Sequence, residues 1–330
     1  MSRIAVLGAG AWGTALALSL YQRGGHTVSL WSHSKSHAAD MQSARENHKY
    51  LPNFPLPADL EVHTDLAHTV SAAEIILTVV PAQHLRTVIT QLASSLTAQH
   101  IIVTASNGIG DKTFLRMTQV VAELTPVQTA VLSGPSFAQE VAAGMPTAVT
   151  IASTNSDIAQ QIQRDFSSKS LRLYTNDDVI GVELGGALKN VIALASGVVT
   201  GLNLGHNPAA ALITRGIAEI TRLAVACGGQ PQTLAGLSGV GDLVLTCTGS
   251  LSRNRTVGIE LGRGRALPDI LAALDGKVAE GVRSTTAALG LAKLHNVEMP
   301  ITEQMAAVLY EGKPPKEAIR DLMSRPGRDE

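Results

Sequence analysis

The stretch "IAVLGAGAWGTALA", residues 4–17, decides the fold that we predict for this chain of 330 residues. Its apolar run at Ile4–Leu7 is typical of a buried strand, and a helical pattern follows the glycines. Gly8, Gly10 and Gly13 have the spacing G-x-G-x-x-G. In a strand–turn–helix unit the first glycine permits a tight turn, the second lets the backbone approach a pyrophosphate, and the third allows close packing. The stretch therefore predicts a dinucleotide site, with a purely structural turn as the alternative.

Composition and charge exclude several classes of function. The chain has 26 basic and 27 acidic side chains, so no net field favours nucleic acid or a membrane surface as partner. Aromatic residues make up 3% of the sequence, which argues against a surface on which bases stack. Cys227 and Cys247 lack the spacing of metal ligands. We predict two reduced thiols in a cytoplasmic protein and no metal site, with a disulfide as the alternative.

The apolar N-terminus also resembles a secretory signal. Arg3 precedes a mostly apolar stretch from Ile4 to Leu20, which is the arrangement of a signal peptide. Glycines interrupt this stretch, and a strand-like segment follows at Thr27–Trp31, so we favour a folded N-terminus. No segment reaches the ~18 uninterrupted apolar residues of a membrane span. We therefore predict no stable membrane insertion.

The first half of the chain alternates short apolar runs with helical stretches. Continuous apolar runs are typical of strands in a parallel sheet that is covered on both faces. The predicted strands are Ile4–Leu7, Val28–Trp31, Ile75–Val80, Ile101–Thr104, Ala130–Leu132, Ala148–Ala152 and Leu171–Tyr174. The predicted helices between them include Gln83–Leu96, Phe114–Leu124 and Asp157–Phe166. This α/β alternation predicts a doubly wound, Rossmann-type dinucleotide-binding domain over residues 1–181.

From about Val182 the pattern changes to long apolar stretches with helical spacing. The predicted helices are Val182–Thr200, Ala209–Ala226, Thr256–Leu261, Leu267–Leu274, Ser284–His295 and Thr302–Tyr310. No strand-like segment separates them, so the pattern predicts an all-helical C-terminal domain over residues 182–330. We expect this domain to bind the substrate and to carry the catalytic residue.

The end of the second predicted strand, "SLWSHSKSH" at residues 29–37, bears on the choice of cofactor. A site specific for NAD usually has an acidic residue here for the ribose 2′-hydroxyl. This stretch has none and offers Ser32, His33, Ser34 and Lys35, whose side chains can contact a 2′-phosphate. We therefore expect NADPH to be accepted, with NADH still possible. The alternative is a solvated loop.

A single lysine stands out in the segment "GVELGGALKNVIALASGVVTG", residues 181–201. Burying a lone ammonium group is costly unless the group is paired or used in chemistry. A ketone that receives a hydride also needs a proton on its oxygen, and Lys189 can donate it. The alternative is a lysine whose stem packs in the core while its ammonium group reaches solvent.

Two further segments point to a phosphate-bearing substrate. In "GSLSRNRTVG", residues 249–258, Ser252 is a predicted N-cap followed by Arg253 and Arg255. A helix start with arginines suits phosphate, which a guanidinium binds through two hydrogen bonds. Asp242 lies in the apolar segment "LSGVGDLVLTC". The alternatives are a solvated basic loop for the arginines and a helix cap or structural ion pair for Asp242.

The chain resembles the bacterial NAD(P)-dependent glycerol-3-phosphate dehydrogenases over almost its whole length. The shared segments are "GAGAWGTALA", "YLPNFPLP", "SGPSFAQEVAAGMPTA", "NDDVIGVELGGALKN", "AALITRGIAEITRL", "GLSGVGDLVLTCTGSLSRNR" and "VAEGVRST". The resemblance implies reversible reduction of dihydroxyacetone phosphate to sn-glycerol 3-phosphate by NADPH or NADH, for the synthesis of glycerophospholipids. It also implies a small-molecule substrate as partner, and a homodimer is possible.

The resemblance also assigns residues. It makes Lys189 the proton donor and acceptor. The positions that it implies for the substrate are Asn107, Gly134, Ser136, Lys189, Asp242, Ser252, Arg253 and Asn254. The positions that it implies for the cofactor are Gly8, Gly10, Ala11, Trp12, Gly13, His33, Tyr50, Asn107, Ala138, Arg253, Val278 and Glu280.

One position departs from the family pattern. The family reads "TKG" after the strand that ends near Thr104, and its lysine helps to hold substrate and cofactor, whereas this chain reads "VTASNGIGDK" with Asn107 in that place. Asparagine donates hydrogen bonds but carries no charge. Losing a charge-assisted contact costs about 1.5–3 kcal/mol. Lys112 could replace the missing charge only if the loop folds back.

Two other functions compete with this interpretation. One is a related two-domain reductase of another small substrate, of the β-hydroxy acid or ketopantoate type. A substrate without phosphate has less need of the basic cluster at Ser252–Arg255. The other is a catalytically weak, nucleotide-binding regulator, which only Asn107 supports.

Overall fold

Residues 2–274 and 277–327 are described in a computed structural model, and the chain forms two compact units. The first unit comprises the residues up to Asn107 together with Leu115–Glu183. The second comprises Gly108–Phe114 and the residues from Leu184 onward. The short segment 108–114 thus leaves the first unit and belongs to the second.

The described residues of the first unit form ten strands and seven α-helices. The strands are β1 Ser2–Leu7, β2 His26–Trp31, β3 Glu46–Asn47, β4 Leu51–Pro55, β5 Glu61–His63, β6 Ile75–Thr78, β7 Ile101–Thr104, β8 Gln128–Ser133, β9 Thr147–Ala152 and β10 Leu171–Asn176. The helices are α1 Ala11–Arg23, α2 Lys35–Ala44, α3 Leu66–Val70, α4 Ala82–Leu92, α5 Met117–Leu124, α6 Ala138–Ala142 and α7 Ser156–Phe166, with a 3₁₀ turn at Ala93–Ser95.

Eight of these strands form one sheet in the order β10-β9-β8-β7-β6-β1-β2-β5. All neighbouring pairs are parallel except β8 and β9. The predicted doubly wound sheet and each predicted strand are confirmed. The strands β3, β4 and β5 were not predicted, because they are short and lack an apolar run; β3 and β4 form a separate antiparallel pair.

The central strand β1 is buried on both faces. Ile4 and Val6 join the apolar cluster on one side of the sheet, whereas Ala5 and Leu7 join the cluster on the other. Side chains alternate between the two faces of a strand, so both faces of β1 need apolar residues. This burial explains the continuous apolar run that the sequence shows.

In the first unit, two predicted helices extend beyond the observed ones by a few residues at one end. Helix α5 starts at Met117 and not at Phe114, because Phe114 has φ of +56° and lies in the left-handed region. Helix α4 ends at Leu92, and the remainder of the predicted stretch forms the 3₁₀ turn.

The second unit is helical, and its described residues include no strand. Its first helix, α8 Val179–Gly201, begins in the first unit. The others are α9 His206–Ala226, α10 Pro231–Leu234, α11 Asp242–Thr248, α12 Arg253–Gly262, α13 Leu267–Ala272, α14 Glu280–Leu294, α15 Pro300–Tyr310 and α16 Pro315–Met323, with a π-helical turn at Leu237–Gly241. The predicted all-helical C-terminal part of the chain is confirmed.

Helix α8 is the one helix of the described residues that is long and apolar enough to cross a membrane. In its most apolar window, 94% of the residues are buried inside the protein. Such burial is what a core helix shows.

A buried carboxylate holds the start of α15. Glu219 is 1% exposed and accepts the N–H groups of Ile301 at 2.8 Å and of Thr302 at 3.0 Å. Its Oε1 also accepts the Thr302 hydroxyl at 2.6 Å. Burial raises the pKa of Glu219, whereas these hydrogen bonds lower it. The carboxylate replaces the N-cap side chain that α15 lacks.

Candidate active site

The glycine turn after β1 has no room for side chains at its two ends. Gly8 has φ of +126°, and a Cβ there would lie 2.8 Å from the carbonyl oxygen of Val79. A Cβ on Gly13 would lie 1.9 Å from the carbonyl oxygen of Gly8. The fold itself therefore requires both glycines, whatever binds at the turn.

Gly10 differs from its two neighbours in the motif. No protein atom lies within 4 Å of the position that its Cβ would take. Helix α1 starts at the next residue, and Gly10 provides no side-chain cap. The half-buried Ala11 and Trp12 form the first turn. Because the first N–H groups of a helix lack intrahelical partners and its dipole attracts anions, this turn fits a pyrophosphate.

The carbonyl group of Ala9 in this turn is held by two side chains from outside the motif. Asn47 is fully buried, and its Nδ2 donates to Ala9 O at 3.0 Å and to Thr14 Oγ1 at 2.7 Å. His37 Nε2 donates to the same carbonyl oxygen at 3.3 Å. Tyr50 packs on both, with its N–H 3.1 Å from Asn47 Oδ1 and its ring centroid 5.1 Å from that of His37. Asn47 and His37 could not be predicted from the sequence, because no local pattern shows their long-range partner.

The segment after β2 presents fewer candidate ligands than its sequence offers. Ser34 is the N-cap of α2 and accepts the N–H of His37 at 3.2 Å. Ser32 is buried and donates to the carbonyl group of Ser34 at 3.3 Å. His33 and Lys35 are exposed. The structure thus uses the two serines to build the turn and leaves His33 and Lys35 at the surface.

Four more predicted residues follow strands β7 and β8, whose carboxyl ends lie at the same edge of the sheet as that of β1. Gly134 has φ of +141°, and Ser136 Oγ donates to its carbonyl group at 2.9 Å. Ala138 starts α6, and Asn107 is half-buried in the loop after β7. Ligands of open α/β sheets bind at this edge, near the point where the strand order reverses, which here lies between β1 and β6.

In the second unit, Lys189 is not a lone charge. Its ammonium group donates to Asp242 Oδ2 in an ion pair, and the two residues are 9% and 1% exposed. The interpretation of an isolated lysine is therefore wrong, because its counter-ion lies 53 positions away in the sequence. The alternative in which its ammonium group reaches solvent is also wrong. Pairing offsets the cost of burying both charges.

Thr246 joins this pair, and the sequence analysis missed it. Its Oγ1 donates to the carbonyl group of Asp242 at 2.7 Å and lies 3.4 Å from Asp242 Oδ1.

The next residue, Cys247, is buried, and burial raises the pKa of its thiol to about 12. At neutral pH this thiol is therefore neutral, and a neutral thiol is a poor nucleophile. Neither Cys227 nor Cys247 takes part in a disulfide.

Side-chain amides link the Lys189 helix to α12 and α14. Asn254 Nδ2 donates to Asn190 Oδ1 at 2.8 Å, and the N–H of Gly281 donates to Asn254 Oδ1 at 2.9 Å. Asn190 is another residue that the sequence analysis did not single out, although it adjoins Lys189. Gly281 follows the predicted cofactor residue Glu280, which like Val278 is half-buried. The predicted residues of α8, α12 and α14 are therefore neighbours in space.

The start of α12 has the predicted cap. Ser252 Oγ accepts the N–H of Arg255 at 3.3 Å, and the first turn contains no acidic residue. Arg255 Nη2 is directed at Thr200 Oγ1 of α8, at 3.4 Å. Arg253 as a whole residue is exposed. Partial desolvation of its guanidinium group lowers the pKa of this group, whereas the negative charge of Glu280 raises it. Since arginine titrates far above neutral pH, Arg253 remains charged.

No group of three or more His, Cys, Asp or Glu side chains among the residues that the structure describes could hold a metal ion. Two models of one known protein family match the chain. Residues 3–159 match the model for the N-terminus of NAD-dependent glycerol-3-phosphate dehydrogenase, and residues 178–320 match the model for its C-terminus. The chain belongs to this family.

Individual relatives agree. A protein of Acidobacterium capsulatum named glycerol-3-phosphate dehydrogenase (NAD(P)+) is 59% identical over 338 residues and covers 100% of both chains. The protein of the same name from Koribacter versatilis is 56% identical over 334 residues, covering 100% of this chain and 99% of the relative. The crystal structure of glycerol-3-phosphate dehydrogenase from Coxiella burnetii has a TM-score of 0.95 at 44% identity, covering 98% of this chain and 99% of that chain.

These findings confirm the predicted family, the fold class and the class of enzyme, an NAD(P)-dependent glycerol-3-phosphate dehydrogenase. The roles of individual residues stay predictions. Within the glycerol-3-phosphate dehydrogenase fold, the structure places the first-unit residues along one sheet edge and joins Lys189 to Asp242. It also joins Asn254 to α8 and α14.

Proposed function

We propose that this glycerol-3-phosphate dehydrogenase reversibly reduces dihydroxyacetone phosphate to sn-glycerol 3-phosphate with NADPH or NADH. The observation that carries the proposal is the buried ion pair of Lys189 with Asp242, on a helix whose Asn190 accepts a hydrogen bond from Asn254 beside Arg253. A phosphorylated ketone needs a proton donor for its carbonyl oxygen and a cation for its phosphate, and these residues provide both.

The two parts of the chain divide the work in this proposal. Residues 1–181 bind the dinucleotide, with its pyrophosphate at the start of α1, where Gly10 leaves open space. Residues 182–330 bind the substrate and contain the proton donor. The cofactor supplies the hydride to the carbonyl carbon of the substrate. Exposed His33 and Lys35 favour the 2′-phosphate of NADPH, and no carboxylate in the first turn of α2 opposes it.

Lys189 supplies the proton that the reduction requires. When the carbonyl carbon gains a hydride, its oxygen gains an electron pair, and the Lys189 ammonium group gives this oxygen one proton to form the alcohol. In the oxidation of sn-glycerol 3-phosphate, the neutral amine takes the same proton back. Asp242 holds the lysine side chain in place through their ion pair, and the Thr246 hydroxyl donates to the carbonyl group of Asp242.

The phosphate of the substrate binds at the start of α12. Arg253 supplies the charge, and Ser252 and Asn254 flank it. Gly134, Ser136 and Asn107 remain predicted substrate positions on the strength of the family resemblance. With a substrate that lacks phosphate, as in a ketopantoate-type reductase, Arg253 at this helix start would have no phosphate group to bind.

In the cell, we expect a cytoplasmic enzyme whose product enters glycerophospholipid synthesis. In this proposal the enzyme binds its small-molecule substrate and binds no nucleic acid. It also does not insert stably into a membrane. A homodimer is compatible with the proposal.

The test is oxidation of NADPH and of NADH by the purified protein, followed at 340 nm, with dihydroxyacetone phosphate as substrate. Dihydroxyacetone and ketopantoate serve as substrates without phosphate. We expect turnover with dihydroxyacetone phosphate and far less with the other two. Turnover of ketopantoate instead would support the alternative reductase. Binding of nucleotide without any turnover would support the regulator.

Asn107 allows a prediction about substrate affinity. If the site simply lacks a cation there, Asn107→Lys should lower KM for dihydroxyacetone phosphate, since an ammonium group near the substrate attracts its phosphate. A restored charge-assisted contact is worth about 1.5–3 kcal/mol, which corresponds to roughly 10–150-fold in kcat/KM. The measurement is kcat/KM for both forms at low ionic strength, where the added charge is least screened.

Asn107→Gln is the matched control, because it lengthens the side chain without adding charge. An increase in kcat/KM for the lysine variant alone would establish the electrostatic cause. An unchanged or lower value would show that the site has adapted to asparagine. Lys112, exposed in the segment 108–114, is tested by Lys112→Gln, which we expect to leave kcat/KM unchanged.

A further inference from the structure

Several neighbours of helix α8, which carries Lys189, approach it so closely that backbone meets backbone. A Cβ on Gly185 would lie 2.3 Å from the carbonyl oxygen of Ser238, in the turn that precedes Asp242. A Cβ on Gly281, at the start of α14, would lie 2.5 Å from the carbonyl oxygen of Asn190. These separations are below the shortest that real Cβ atoms show. Gly185 and Gly281 therefore permit close backbone contacts with α8 that any larger residue at these positions would prevent.

The closest of these contacts joins α8 to α12. A Cβ on Gly197 would lie 2.1 Å from the carbonyl oxygen of Arg255, and a Cβ on Gly258 would lie 2.0 Å from the carbonyl oxygen of Leu194. One turn further along both helices the contact repeats. A Cβ on Gly201 would meet the carbonyl oxygen of Ile259 at 2.2 Å, and a Cβ on Gly262 would meet that of Val198 at 2.6 Å.

A contact of this kind fixes the separation of two helices. Side chains adapt to a change by choosing another rotamer, but two backbones in contact can only move apart. The α12 backbone carries Arg253 at its first position, five residues before Gly258, and α8 carries Lys189 eight residues before Gly197. Any increase in the separation of α8 and α12 at the glycines therefore shifts Arg253 relative to Lys189.

Resting on the function proposed above, we propose that Gly197 and Gly258 are positioning residues for the reaction. They set the distance between the group that binds the phosphate, Arg253, and the group that gives the proton, Lys189. The hydrogen bond of 2.8 Å from Asn254 to Asn190 spans the same pair of helices. A displacement of about 1 Å would stretch it beyond hydrogen-bond range.

The test is Gly258→Ala, assayed with dihydroxyacetone phosphate and with dihydroxyacetone. The new methyl group must push α12 away from the carbonyl oxygen of Leu194, and a misplacement of about 1 Å can reduce rate up to ~10²-fold. We expect kcat/KM for dihydroxyacetone phosphate to fall by roughly 10–100-fold. With NADPH saturating for each form, we expect kcat/KM for dihydroxyacetone to stay unchanged, because this substrate has no phosphate for Arg253 to bind. Inhibition by inorganic phosphate should weaken in parallel.

A variant that is only less stable controls for a general loss of structure. Glu219→Gln, on α9, places an amide NH₂ group against backbone N–H groups at the start of α15 and should lower Tm by several degrees. We expect its preference for the phosphorylated substrate to equal that of the natural protein. If Gly258→Ala does not fold, Gly262→Ala provides a milder form of the same test, since its Cβ would lie 2.6 Å from Val198 O.

The outcomes separate the two proposals. If the natural protein uses dihydroxyacetone as well as its phosphate ester, the proposed function fails. If the natural protein discriminates and the glycine variants lose activity toward both substrates equally, or toward neither, the positioning role fails. A selective loss with the phosphorylated substrate supports it.

Discussion

Replacing Lys189 with alanine should reduce kcat by about 10²–10⁴-fold, the range that general acid–base catalysis supplies. The variant removes the only proton donor that the proposal places at the carbonyl oxygen. Binding of NADPH, followed by its fluorescence, should remain, because the glycine turn lies in the other unit of the chain. Turnover above about half of normal would contradict the assignment, since a ~10²-fold effect is the lower bound expected.

The alanine variant has a second effect that must be separated from the chemistry. It leaves Asp242 buried at 1% exposure without its counter-ion, and breaking a buried pair costs about 3–5 kcal/mol. Lys189→Arg is therefore the matched control, because it keeps a positive charge beside Asp242 but gives up a proton far less readily. We expect the arginine variant to have the higher Tm of the two and an equally low kcat. Recovery of kcat by arginine would show that only the charge is needed.

The strands of the first unit could be predicted because burial leaves a local trace. Ile4, Val6, Ala5 and Leu7 pack on opposite faces of the sheet, so four successive apolar residues mark one strand. Strand β5, Glu61–His63, lies at the edge of the sheet and alternates exposed and buried residues, and its three residues are too few to give a signal.

The ion pair of the site could not be predicted, because its partners are 53 positions apart. Both residues were identified separately, Lys189 by its apolar surroundings and Asp242 by its segment. A single sequence shows that each is unusual but not that one neutralises the other. For the same reason Thr246, Asn190 and Asn47 were missed, since each is recognisable only by a partner from another element.

The glycines show how one residue type can serve different purposes. Gly8 and Gly13 are required by the turn and its packing, while Gly10 faces open space. The sequence predicted all three from their spacing. From the sequence, the glycines of α8 indicate only a helix of small, apolar residues. The structure shows why they are glycines, because the backbone of α12 lies directly against them.

Replacing Arg253 with alanine should raise KM for dihydroxyacetone phosphate by about 10–100-fold or more, because a charged hydrogen bond to phosphate is worth roughly 1.5–3 kcal/mol. Arg253 is the first residue of α12, and the first turn of this helix contains no acidic residue. Loss of the Arg253 guanidinium group removes both the charge and two directed donors. Because Arg253 is also a predicted cofactor contact, affinity for NADPH should weaken too. Steady-state kinetics with each substrate varied in turn measure both effects.

Arg263→Ala is the control for the Arg253 variant. Arg263 follows the other end of the same helix, is exposed, and pairs with Glu260 at 2.8 Å. Both variants remove one positive charge from the chain, so a general electrostatic effect would appear in both. We expect Arg263→Ala to leave KM unchanged. Added guanidinium ion should restore part of the activity of Arg253→Ala only if the lost group acts by its charge and hydrogen bonds at the phosphate. If guanidinium ion restores no activity and the two variants have equal KM values, the phosphate site at α12 is refuted.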